Sequence, residues 1–97
     1  MTEFKSVEQM ENNFSIYLNN EGCKLGVGHN WLTFNRGTDV GDREPYSCKD
    51  EKGINYRIYY YKKKREFGEL HVDDPTYQGV GNKKFTIPKS RQFIHIG

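Results

Sequence analysis

Hydrophobic and polar positions alternate with a period of two over most of this chain, and that pattern predicts strands. The clearest run is Ile54 to Lys62, where Ile54, Tyr56, Ile58 and Tyr60 fall on one face and Asn55, Arg57, Tyr59 and Tyr61 on the other. The charged tip Lys62-Lys63-Lys64-Arg65 follows, and Phe67 to Val72 reads as the returning strand of a hairpin that Asp73-Asp74-Pro75 ends. Earlier in the chain Phe14, Ile16 and Leu18 alternate with polar neighbours. Asn19 to Gly22 reads as a turn, and Cys23, Leu25 and Val27 resume the alternation. His29 to Phe34 continues as an extended segment in which Trp31 is expected to be the largest contribution to the core. Gly79-Val80-Gly81-Asn82 marks a further turn, and two short strands, Lys84 to Ile87 and Gln92 to Ile96, are expected around Pro88.

Two segments depart from that period. Ser6 to Glu11 opens with a capping-box pattern in which Ser6 and Gln9 exchange hydrogen bonds, predicting a short helix. A rival reading runs one helix from Ser6 to Leu18, since Val7, Met10, Phe14, Tyr17 and Leu18 also fit a 3.6-residue period. Asn35 to Gly53, with Gly37, Gly41, Pro45 and Gly53, reads as the longest loop. The expected fold is therefore α+β: a short N-terminal helix packed on a curved antiparallel sheet or small open barrel of about five or six strands.

Composition narrows the class. Ninety-seven residues suit a single domain spanning the whole chain, 1–97. The hydrophobic fraction of 34% is low, but six Phe, seven Tyr and one Trp supply a core of rings, each burying about 150–250 Å². No apolar stretch approaches the roughly 18–20 residues of a membrane span, so no membrane is expected as a partner. The first residues lack a signal-peptide pattern, and a cytoplasmic location is the expectation. Cys23 and Cys48 are expected as reduced, half-buried thiols; His29, His71 and His95 are scattered, so neither a metal site nor a cofactor is expected. Gly26-Val27-Gly28 lacks the third glycine and the flanking elements of a dinucleotide site.

Charge points to where chemistry sits. Residues 1–53 carry six cationic against nine anionic side chains, a net −3, whereas residues 54–97 carry nine against four, a net +5. Such asymmetry attracts an anionic partner. The candidate binding residues are Arg57, Tyr59, Tyr61, Lys62, Lys63, Lys64 and Arg65, with tyrosines to stack bases and cations to hold phosphates. The favoured reading is a small non-catalytic binding module that engages RNA, single-stranded DNA or an acidic protein surface through this basic aromatic hairpin. A second reading is a small inhibitor or adaptor, of the kind mobile elements encode, that blocks a protein partner.

An enzyme is the less favoured class. Glu44, Arg57 and His71 nevertheless offer a carboxylate base, a guanidinium for a crowded phosphate and an imidazole acid. Their order resembles that in small barnase-like microbial ribonucleases, which also place a helix before an antiparallel sheet. The resemblance implies a compact, metal-independent ribonuclease with those three residues in those roles. Oligomeric state is not encoded in any of these patterns.

Overall fold

A computed structural model describes residues 14–27, 30–75 and 82–96. Among the described residues ten strands form two sheets around one core, and there is no α-helix. The smaller sheet has the order β10 (Gln92–His95), β1 (Phe14–Asn19), β2 (Gly22–Val27) and β3 (Asn30–Thr33). The larger runs β4 (Asn35–Arg36), β5 (Arg43–Lys49), β6 (Asn55–Tyr61), β8 (Leu70–Asp73) and β9 (Asn82–Phe85), with β7 (Glu66–Phe67) also on β6. One 3-10 turn, Lys89–Arg91, links β9 to β10.

The α+β expectation is thus corrected: the described residues form an all-β arrangement of two sheets, not one curved sheet or barrel of five or six strands. The helix expected at Ser6 to Glu11 lies outside the described residues, as do Gly28, His29 and residues 79–81 of the expected turn. The single helix to Leu18 is excluded, because Phe14 to Asn19 is β1. Phe14, Ile16 and Leu18 are buried there while Ser15, Tyr17 and Asn19 are not, so the period of two prevails over 3.6. The turn after β1 is as expected: Asn19 Oδ1 accepts from the Glu21 and Gly22 amides at 2.8 and 3.1 Å. Gly22 then takes φ +151°, which L residues rarely adopt.

The segment read as a loop, Asn35 to Gly53, contains β4 and β5. β5 pairs with β6 at seven positions, from Arg43 opposite Tyr61 to Lys49 opposite Asn55. Pro45 hid it. Its carbonyl accepts from Gly37 at 2.9 Å, so the backbone polar groups of residue 45 point toward β4 and its missing N–H removes no bond to β6. Asp50 closes the β5–β6 turn: Oδ1 accepts from the Lys52 and Ile54 amides at 2.9 and 3.0 Å, and Oδ2 from the Tyr56 hydroxyl at 3.0 Å.

The strand returning from the tip is interrupted. Tyr60 faces Phe67 and Arg57 faces His71, so Ile58 and Tyr59 on β6 oppose three residues, Gly68, Glu69 and Leu70. That extra residue is a β-bulge. It lets Phe67, Leu70 and Val72 all point into the core, which strict alternation forbids. Gly68 lets the Tyr61 ring lie close to the backbone there, because a Cβ would stand 2.7 Å from Tyr61 Cε2 and the ring would have to shift.

The two sheets meet at a corner where β3 runs into β4 through buried Phe34, whose amide donates to the Cys23 carbonyl at 2.9 Å. Phe14 of the smaller sheet meets Phe85 of the larger at 5.2 Å between ring centroids. β10 returns to the smaller sheet and pairs parallel with β1, the one parallel pair among the described strands. Gln92 anchors this crossing: its Nε2 donates to the Ile87 carbonyl at 2.8 Å and its Oε1 accepts from the Phe67 amide at 3.0 Å.

Trp31 is a second correction. It is 54% exposed and lies on the outer face of the smaller sheet, opposite Gly26. Leu32, its neighbour, takes the inward position against the core.

Candidate functional site

The alternation of β6 decides what the larger sheet shows to solvent. Ile54, Tyr56, Ile58 and Tyr60 are buried, while Arg57 and Tyr59 are exposed and Tyr61 half-buried. Cross-strand pairing then extends Arg57 into a row: Ser47 on β5, Arg57 on β6, His71 on β8 and Lys84 on β9 stand directly opposite one another in turn. Paired residues share a face. Among the described residues no carboxylate lies within ion-pair distance of Arg57 or Lys84. The flanking row carries Lys49, Asn55 and Asp73.

His71 registers that field. Its pKa lies below the ordinary 6.5, first because it is partly buried and then because Arg57 and Lys84 repel a third positive charge, with Glu69 opposing them. The imidazole is accordingly neutral at pH 7.

Aromatic surface adjoins the row. Tyr59 is 38% exposed, and the Arg43 guanidinium sits 5.0 Å from its ring centroid. Tyr61 packs on Gly68, with Lys64 Nζ 5.6 Å from its ring centroid.

The charged tip is organised differently. Lys62 Nζ meets Asp39 at 2.9 Å, and Asp39 also receives Arg36 at 2.9 Å. These bonds, Lys62's first, hold the Asp39 carboxyl below its ordinary range, and Asp39 in turn raises the Lys62 ammonium. The Lys63 amide donates to both Asp42 carboxylate oxygens at 3.2 and 3.1 Å. Arg65 takes φ +52° and donates to the Ile96 carbonyl at 3.3 Å. Two aspartates therefore stand among the four cations, and the side-chain charge of Lys62 is matched.

Of the three residues named for RNA cleavage, the sheet brings Arg57 and His71 side by side and leaves Glu44 apart. Glu44 is opposite Tyr60, on the inward-facing register of β5, with its side chain only 12% exposed. Tyr46 donates its hydroxyl to Glu44 at 2.7 Å, and Arg36 approaches at 3.5 Å. Burial and that bond raise the Tyr46 hydroxyl well above its usual range. Ser47, not a carboxylate, occupies the β5 position beside Arg57.

Among the described residues no group of three His, Cys, Asp or Glu side chains gathers as for a metal ion. No described helix is long and apolar enough to cross a membrane. Cys23 and Cys48 are free; burial pushes their thiols up to about 12 and about 11, leaving both protonated at neutral pH.

Comparison with protein-family models, with curated proteins and with solved structures finds no match.

Sequence reasoning missed two members of this face, Arg43 and Lys84. Arg43 sat in a stretch read as loop, and Lys84 joins the row only through the β8–β9 register. It also missed a second aromatic surface. On the outer face of the smaller sheet Tyr17 stacks on Phe93 at 4.5 Å and meets Trp31 edge-on at 5.0 Å. The available signal was the glycine facing Trp31, since an open glycine is where a large ring can lie down on a sheet.

Proposed function

We propose that the protein is a non-catalytic module that binds single-stranded nucleic acid across the outer face of its larger sheet. The observation that carries this reading is the unbroken row Arg57, His71 and Lys84, set beside Tyr59 and its Arg43. Phosphates of a single strand take the cations, and an unpaired base takes the tyrosine face or the guanidinium plane above it. A duplex keeps its bases stacked and offers the tyrosine nothing. Lys62 to Arg65 then contribute to the field at one end of the face, with Lys62 the least effective because Asp39 already holds it. Two free thiols suit the reducing cytoplasm, where we place this activity.

The test is the fluorescence anisotropy of a labelled oligothymidylate and a labelled oligouridylate titrated with the full chain at low salt. Saturable binding is expected, weakened strongly in the Arg57→Ala/Lys84→Ala double variant. Absence of binding to both oligonucleotides overturns the reading and leaves an acidic protein surface as the anionic partner to test.

A further inference from the structure

The smaller sheet carries a groove that the larger sheet's chemistry does not explain. It has a volume of about 450 Å³, within the range of small-molecule sites, and opens on the outer face beside Trp31. Trp31 and Tyr17 are 54% and 37% exposed, and their rings meet at 67° to form a corner. Three atoms of the indole lie 2.9–3.3 Å from where a Cβ on Gly26 would stand, so the ring rests on the β2 backbone. Phe93 stacks behind Tyr17 at 17° and holds that wall upright. Rings kept rigid in this way present area to a ligand without losing side-chain freedom on binding.

The polar lining selects the ligand. Lys24 and Thr33 stand opposite one another across β2 and β3, and Glu21 and Asn19 lie at the hairpin end. Asn19 Oδ1 already accepts from two backbone amides, so its NH₂ remains to donate. One ammonium and one carboxylate cancel, which gives an anion such as a nucleotide no advantage here. A ring bearing many hydroxyls uses the whole set: the carboxylate accepts from hydroxyls, the ammonium and amide donate to their oxygens, and Thr33 does either. The axial C–H bonds of such a ring carry partial positive charge, which suits the negative face of an indole.

We propose that this groove binds a neutral pyranose ring, as presented by a polysaccharide or glycan. The site is separate from the cationic face and independent of Arg57 and Lys84.

Trp31 is the only tryptophan of the chain, so its emission reports the site directly. The full chain is titrated with cellohexaose, maltohexaose, xylohexaose and chitohexaose in high salt. A saturable blue shift with at least one of them is expected, because the bound sugar shields the indole from water. In Tyr17→Ala the affinity should fall by up to about tenfold, the loss of one ring contact. Should that variant fail to fold, Thr33→Val keeps both rings and should still weaken the same titration several-fold. Unchanged emission with all four sugars overturns the proposal. So does a shift produced by adenosine monophosphate in their place, which assigns the corner to a nucleobase, or by raising protein concentration alone, which assigns it to a second copy.

Discussion

At the scale of single residues, His71 is the most informative group on the larger sheet. Its folded pKa is below the ordinary 6.5, so the unfolded chain binds more protons between the two values and stability rises with pH there. That contribution is complete above the unfolded value and is lost as pH falls through 6.5 and then through the depressed folded value. Urea midpoints measured from pH 7 to 5 should therefore decline, and His71→Gln should flatten that part of the decline. A bound polyanion favours the imidazolium, so the same histidine predicts the opposite trend for binding: oligonucleotide affinity should increase on acidification over this range and increase less in His71→Gln. Tyr59 carries the stacking claim, and Tyr59→Ala should weaken oligonucleotide binding by about 1–3 kcal/mol in the anisotropy titration. Gly68 is constrained by sterics. Gly68→Ala must displace the Tyr61 ring, and a destabilisation of about 1–3 kcal/mol is expected from chemical unfolding.

At the scale of elements, β6 and the β1–β2 hairpin were legible because one face of each is buried and the other is not. In β6 the period of two has no helical rival, whereas in β1 a 3.6-residue period competed with it until the burial of Phe14, Ile16 and Leu18 decided for the strand. β5 was not legible, since Arg43, Pro45, Ser47 and Lys49 all face outward and only Tyr46 and Cys48 mark the inner side. Its existence depends on pairing with β6 and on Pro45 directing its lone carbonyl to β4, and neither is a local property. Trp31 was misplaced for a related reason: residue size argues for the core, but alternation gives the inward position to Leu32. The bulge at Gly68 likewise requires knowledge of the partner strand. The turn between β5 and β6 depends on one carboxylate. Burial and Asp50 raise the Tyr56 hydroxyl well above its usual range, which keeps it a donor. Asp50→Ala removes three hydrogen bonds from that turn and leaves the Tyr56 hydroxyl without its acceptor, a cost of about 2–4 kcal/mol in unfolding experiments.

At the scale of the whole molecule, two sheets enclosing one core leave two outer faces of different character. One presents Arg57 and Lys84 on either side of a neutral His71, with tyrosine beside them; the other presents tryptophan, tyrosine and phenylalanine with balanced charge. Of the binding candidates read from sequence, Arg57 and Tyr59 lie on the solvent-facing side that their alternation predicts. The emphasis moves from the lysine tip to the sheet, since Asp39 and Asp42 stand among the tip cations while Arg57 and Lys84 have no ion pair among the described residues. The salt dependence of oligonucleotide binding tests that shift most directly. For a single strand the slope of log K against log salt changes by about 0.7 for each phosphate contact removed. Arg57→Ala/Lys84→Ala should make the slope shallower by about 1.4, and Lys62→Ala should leave it nearly unchanged. Equal slopes for the double variant and the parent protein would contradict the account.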